Sequence, residues 1–176
     1  MFNSIFKDLS LRFKTGETRF QRENLAFINI DKLHLLPALQ WLKVTHGYRH
    51  LVLLTAVDYI EQGQFQLTYI LHNPETKSDV GLRVLIDREN ASMESAHLIW
   101  PTISTYQREL KEMFGIDFPG SPRVDEPFIL EGWEGLPPYR RDFDTKEFAN
   151  SFYHQRGGRG TNDPAEYMKE KLYPNE

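Results

Sequence analysis

Two hydrophobic periods alternate along the chain, and each change of period marks an element. Leu25 to Ile30 (LAFINI) is a short apolar run of strand length. Asp31 follows as a candidate helix N-cap, and Leu35, Leu39 and Leu42 fall at helical spacing before Gly47 stops the pattern. Pro37 has no N–H to give to the preceding turn, so the regular helix is expected to begin near Leu35. His50 to Tyr59 (HLVLLTAVDY) is apolar on both faces, which predicts a central strand covered on each side. Phe65, Leu67, Tyr69 and Leu71 alternate with polar neighbours, and Val80, Leu82, Val84 and Ile86 repeat that alternation. Asn73-Pro74-Glu75 lies between them as a turn signal, so the two strands read as an antiparallel hairpin.

The clearest helix comes next. Tyr106, Leu110, Met113 and Phe114 share one stripe, while Arg108, Lys111 and Glu112 face away. Ser104 and Gln107 have capping-box spacing, and Gly115 is placed to close the helix. From Pro119 onward, prolines and glycines prevent any long regular element, although Phe128, Ile129, Leu130 and Trp133 keep the segment apolar. After Asp142 the chain is polar with isolated aromatics, among them Phe143, Phe148, Tyr153, Tyr167 and Tyr173, and is expected to lie over a partner. The element order β-α-β-β-β-α describes an α+β domain, a small antiparallel or mixed sheet with helices packed on it. The expected organisation is an N-terminal extension over 1–24, the α+β domain over 25–118 and an irregular, partner-wrapping C-terminal arm over 119–176.

Composition narrows the chemistry. With 176 residues and about 40% hydrophobic side chains, the chain can bury a core without staples. It contains no cysteine, which excludes disulfides and any iron–sulfur cluster held here through thiolates. The formal charge of −4 argues against general nucleic-acid binding. Lys7, Asp8, Arg12 and Lys14 interrupt the N-terminal apolar residues, and no stretch approaches the roughly 20 apolar residues of a membrane span. The protein is expected to be cytoplasmic, meeting a membrane only through a membrane-bound partner.

Three blocks stand in order along the chain. The first is Leu53-Leu54-Thr55-Ala56-Val57-Asp58-Tyr59, an apolar strand ending in Val-Asp-Tyr. The second runs from Arg108-Glu109-Leu110 through Met113-Phe114-Gly115-Ile116 to Phe118 and Gly120. The third is Gly135 to Pro138 with Arg140-Arg141-Asp142-Phe143. Together they resemble the family of the 30 kDa subunit of proton-pumping NADH:quinone oxidoreductase, respiratory complex I. Gln107, Lys111, Glu112, Ser121, the Val124-Asp125-Glu126-Pro127 stretch and an extra Pro138 depart from the family pattern, as in a divergent branch. The same subunit type occurs in related membrane-bound [NiFe] hydrogenases.

The resemblance implies a scaffold with no catalytic residue, cofactor or metal of its own, peripheral on the cytoplasmic side of the membrane. It would dock a large quinone-site or hydrogenase-like subunit, beside a small iron–sulfur subunit and a ferredoxin-like subunit. Iron–sulfur clusters, with FMN or NiFe, would sit on those partners. The implied partner interface comprises Arg108, Glu109, Phe114, Arg140, Arg141, Asp142 and Phe143. Blander readings stand beside it: Arg108 and Glu112 as a weak i,i+4 pair on a solvated face, and Arg140 to Asp142 as a linker.

Other chemistry finds less support. His46 and His50 have metal-ligand spacing, but Gly47 breaks the helix between them and no third ligand follows. Asp58 is expected to be hydrogen-bonded at a strand end. An independent enzyme would have to use Glu109, Glu112 and His97 without a nucleophile motif or a phosphate cradle. An RNA-binding module would rest on the single Arg156-Gly157-Gly158-Arg159-Gly160 element. If the arm wraps a partner, deleting the chain from residue 137 onward is expected to abolish assembly yet leave a folded domain, as circular dichroism would report.

Overall fold

The computed structural model describes residues 2–152. The elements run α1 (Phe2–Arg12), β1 (Thr15–Arg22), β2 (Leu25–Ile30), α2 (Leu35–Thr45), β3 (His50–Tyr59), β4 (Gln64–Asn73), β5 (Ser78–Asp87), α3 (Ile103–Phe114) and α4 (Thr145–Phe152). The five strands form one mixed sheet in the order β1-β2-β5-β4-β3. Neighbours are antiparallel except β2 and β5, which run parallel from Leu25↔Asp79 to Asn29↔Arg83. The fold is α+β, as the element order predicts.

One face of the sheet carries the core. Leu54, Ala56, Phe65, Leu67, Tyr69, Leu71, Val80, Leu82, Val84 and Ile86 alternate inward and share one cluster with buried residues of α1, α2 and α3. Helix α2 begins at Leu35 with Pro37 in its first turn, where a missing N–H costs nothing. The hairpin is held by its own turn chemistry. Asn73 Oδ1 accepts the Glu75 and Thr76 amides at 2.9 and 3.2 Å, and its Nδ2 donates to the His46 carbonyl at 2.7 Å.

Four features differ from the sequence reading. Strand β3 is an edge strand rather than a central one: it pairs with β4 alone, and Leu53 and Val57 are exposed on its outward side. Its two-sided apolar character therefore reflects an uncovered apolar face, not two covered ones. The segment read as an extension carries α1 and β1. Phe2, Ile5, Phe6 and Leu9 are buried, and the Phe20 ring lies 6.4 and 5.9 Å from those of Phe2 and Phe6. Strand β1 (TGETRFQR) has almost no apolar alternation and is held by backbone pairing with β2, a signal that periodicity does not carry.

The Ser104–Gln107 capping box does not form. Thr102 is already helical (φ −64°, ψ −18°), so the helix starts earlier and Ser104 Oγ donates to the Pro101 carbonyl. Gln107 is buried and accepts a hydrogen bond from Ser95 Oγ at 2.8 Å. The fourth difference is α4, in a region read as irregular. Asp144 Oδ1 accepts the Lys146 and Glu147 amides at 2.9 Å each, an N-cap with an acidic residue three positions on.

The chain divides into two compact units, one ending at Phe143 and one beginning at Asp144. Within the first, residues after α3 fold back: the Met93 amide donates to the Asp117 carbonyl, the Asp117 amide to Ala91, and the Ser95 amide to Pro119. The aromatics Tyr153, Tyr167 and Tyr173 and the Arg156 to Gly160 element lie outside the described residues. Among the described residues no helix is long and apolar enough to cross a membrane.

Gly81 shows how closely the two central strands approach. A Cβ built there would lie 2.2 Å from Cδ1 of Phe27, across the parallel pair. Intrinsic strand propensity favours valine over glycine, but here the clash decides the sign. Gly81→Val is expected to destabilise the full-length chain by about 1–3 kcal/mol, read as a lower midpoint in urea unfolding.

Candidate docking site at the end of the third helix

The site grows from a carboxylate that the sheet buries. Asp58 is the penultimate residue of β3, and its side chain is 1% exposed. The strand register places it beside Phe65 of β4, which in turn faces Ile86 of β5, two residues before Arg88. Arg88 closes on it as a fork, with Nε to Oδ1 at 2.8 Å and Nη2 to Oδ2 at 3.0 Å. Asp58 Oδ2 also accepts the Arg141 amide at 3.0 Å. Arg88 Nη2 reaches on to Asp142 Oδ1 at 2.7 Å, and Arg140 Nη2 donates to the Arg88 carbonyl at 2.8 Å. Arg141 Nη1 meets Glu61 Oε2 at 2.6 Å on the exposed side. Arg140, Arg141 and Asp142 thus clasp their own domain.

Electrostatics follow this geometry. Burial by itself raises the Asp58 carboxyl, but the Arg88 fork and then the Arg141 amide outweigh it and hold the group below its ordinary range. Asp142 is held down chiefly by Arg88. Hydrogen bonds to Asp58 and then Asp142 push the Arg88 guanidinium above its ordinary value.

Aromatic contacts complete the clasp. The Phe114 ring meets Phe65 at 5.9 Å and Tyr139 at 5.7 Å, both edge-on. The Tyr139 amide donates to the Met113 carbonyl at 2.9 Å. The Arg140 guanidinium lies over Phe65 at 5.4 Å, and Trp133 packs on Phe143 at 5.7 Å. Gly115 ends α3 in the left-handed region at φ 76°, and a Cβ there would come within 3.2 Å of Pro137. Glycine is needed at this point both for the turn and for the approach of the returning chain.

Of the seven residues expected at the interface, Phe114 is buried in this aromatic stack, and Arg140 and Asp142 are engaged within the chain. Arg108 and Glu109 differ. Both are half-buried on α3, and among the described residues neither has an ion-pair partner. The i,i+4 pair with Arg108 is not made, because Glu112 is already occupied. Its carboxylate accepts the Phe128 amide at 2.6 Å, Ile129 at 2.9 Å and Leu130 at 3.1 Å. Lys111 binds Asp117 at 2.9 Å and also Asp125. Arg108 instead lies over the Phe128 ring at 5.5 Å, with its Nε buried and unpaired. It faces a cleft of about 410 Å3 between α3 and the 124–137 segment. Sequence reasoning placed Glu112 and Lys111 on a solvated face and gave Arg88 no role, because the Arg88–Asp58 and Glu112–Phe128 partners lie 30 and 16 residues apart. A buried strand-end acid at Asp58 was the one available hint.

Glu109 and Glu112 serve no common centre, His46 stacks edge-on with Trp41 at 4.4 Å, and His50 is exposed. Among the described residues no three His, Asp or Glu side chains gather as a metal site.

The profile of the family described as "Respiratory-chain NADH dehydrogenase, 30 Kd subunit" matches residues 28–149, which span β2 through the clasp into α4. The chain belongs to this family. The C subunit of the NADH-quinone oxidoreductase of Moorella thermoacetica is 30% identical over 109 residues, covering 62% of this chain and 73% of that protein. The C/D subunit of the Pseudomonas fluorescens enzyme is 40% identical over 79 residues, covering 45% of this chain but only 13% of that much longer relative. Among solved structures, a chain of the membrane-bound sulfane sulfur reductase, an archaeal respiratory membrane complex, superposes with a TM-score of 0.77 at 26% identity. The alignment covers 92% of this chain and 98% of that one. A trypsin-resistant fragment of Nqo5 shares the fold, with a TM-score of 0.60 at 17% identity over 69% of this chain and 97% of the fragment. The family is thus a subunit family of a respiratory-chain complex, and the departures at Lys111 and Glu112 fall on the residues that hold the 117–130 segment in place.

Breaking the clasp has a calculable cost. Asp58→Asn leaves Arg88 buried without its counter-charge and is expected to cost about 3–5 kcal/mol, measured as a fall in the thermal midpoint. Both carboxyls titrate lower folded than unfolded, so their contribution is complete above the ordinary carboxylate range near pH 4 and is lost as pH falls below it. The Asp58→Asn gap from wild type should accordingly shrink in strongly acidic buffer. Truncation at residue 137 removes the Arg141 amide, Asp142 and Tyr139, and should lower the midpoint as well. Truncation after Phe143 keeps all three and should not.

Proposed function

We propose that this chain is a cofactor-free scaffold subunit of a complex I-type NADH:quinone oxidoreductase, docking the large quinone-site subunit so that electron transfer couples to ion pumping. Family membership across residues 28–149 carries the reading. The geometry supports a division of labour. The Asp58–Arg88 clasp rigidifies the 137–143 segment beside the end of α3, and Glu112 does the same for 128–130. Ordering entropy is thereby settled before any partner arrives, which favours affinity. Arg108 and Glu109 stay unpaired on the same surface, suited to charge-assisted contacts across an interface.

With no cysteine in the sequence, the iron–sulfur clusters of such an enzyme would belong to neighbouring chains, as would FMN or NiFe. The small iron–sulfur subunit and the ferredoxin-like subunit would be among those neighbours. The protein would reach the cytoplasmic face of the membrane through them. A second reading places it in a related membrane-bound respiratory complex, in the manner of the [NiFe] hydrogenase branch. The near-complete overlap with the sulfane sulfur reductase chain favours that alternative.

Tagging the chain at its native locus, solubilising membranes gently and identifying co-purifying chains by mass spectrometry tests both. Flavin- and NADH-binding subunits in the eluate would support the first reading, and a large subunit recovered without them the second. Glu109→Arg should reduce recovery of the large subunit by about tenfold or more, whereas Arg108→Glu gives up the Phe128 stack as well and should also lower the thermal midpoint. Recovery of the wild-type chain alone would overturn the scaffold reading.

A further inference from the structure

Helices α1, α2 and α3 share the core on one side of the sheet, and among the described residues no helix of that core covers the other side. On that outward face the register aligns three rows. Leu53, Ile70, Gly81 and Phe27 form one, Thr55, Thr68, Arg83 and Asn29 the next, and Val57, Gln66 and Leu85 the third. Leu53, Val57 and Leu85 are 36%, 43% and 45% exposed. The basic row therefore sits between two apolar rows, each roughly 6.6 Å away along the strands.

Arg83 is the unusual member. Its guanidinium stacks 4.0 Å from the Phe27 ring centroid, a position that the missing side chain of Gly81 opens by letting Phe27 lie flat. Its Nε is buried with no acceptor, and among the described residues no carboxylate pairs with it. A buried guanidinium N–H is ordinarily hydrogen-bonded. Burial and then the Arg19 charge lower its affinity for its proton. Beside it opens a groove of about 360 Å3 lined by Leu85, Gln66, Asn29, Lys14 and Lys32. Lys14, Arg19, Lys32 and Arg83 outnumber Glu17 and Asp31 there, so the patch is locally positive in a chain of net −4. Lys14 already spends its charge on Asp31 at 2.9 Å, whereas Arg83 has no ion-pair partner among the described residues.

We propose that the outward face of the sheet is a second docking surface, which receives a partner polypeptide segment carrying an Asp or Glu flanked by apolar side chains. The carboxylate seats on Arg83, and its apolar neighbours cover Leu53 and Ile70 on one side and Val57 and Leu85 on the other. This surface lies on the outward side of the sheet, whereas Phe114 and the aromatic stack of the clasp belong to its core side. A scaffold with two such surfaces bridges two neighbours instead of decorating one. The inference rests on the proposed role as a subunit of a larger complex.

The test places a benzophenone photocrosslinker at Leu85 in the tagged full-length chain and irradiates the assembled complex. The expected adduct is a peptide of a neighbouring subunit with an acidic residue between apolar ones. Val57→Glu, Leu85→Glu and Arg83→Gln should each weaken retention of that neighbour about tenfold or more, and Arg83→Lys should restore part of it. Val57 and Leu85 are exposed, so their variants report docking even if the Arg83 variants perturb the Phe27 stack. Adducts confined to lipid, to a second copy of this chain or to none, with retention unchanged in the variants, would overturn the proposal while wild type still retrieves its complex. Wild type retrieving no other chain would overturn the subunit reading itself.

Discussion

A carboxylate that the sheet takes out of water must be answered from elsewhere in the chain, and Asp58 is that carboxylate. Its pairing with Arg88 joins the ends of two strands that are not neighbours, since β4 lies between them. An isolated buried charge is costly, so the pair is a strong constraint on geometry even where its net contribution to stability is small. The Arg141 amide and Asp142 complete the network, and through them the chain that leaves α3 returns to the sheet.

This internal use of charge shapes what is left for partners. Glu112 and Lys111 look like ordinary solvated residues of α3, yet each is consumed in holding the 117–130 segment. Arg108 and Glu109, one turn earlier, are not consumed. The surface available for docking is thus the remainder after the fold has satisfied its own polar groups. The same logic applies on the far side of the sheet, where Arg83 is held in place by an aromatic ring and not by an acid. A one-sided core leaves Leu53, Val57 and Leu85 exposed on the outward side of the sheet.

The fold recurs in a chain of an archaeal respiratory membrane complex and in a trypsin-resistant fragment of Nqo5.

Local patterning was enough to read the hairpin of β4 and β5, the start of α2 at Leu35, the stripe of α3 and its glycine stop, because each depends on residues a few positions apart. The three ordered blocks pointed to the family for the same reason. Periodicity could not reveal β1, whose polar sequence is a strand only because β2 presents an edge to pair with. Nor could it place β3 at an edge, since an apolar run looks alike whether its second face is covered by the fold or left bare. The capping box failed because the N-cap is Thr102, which is already helical, so Ser104 lies inside the helix. The partners of Asp58 and Glu112 lie 16 to 83 residues away, and among the described residues Arg83 has no ion-pair partner. Sequence by itself determined the elements and the family. Only the tertiary structure decided which charges are spent inside and which remain to be met, because pairing depends on distances that chain order does not encode.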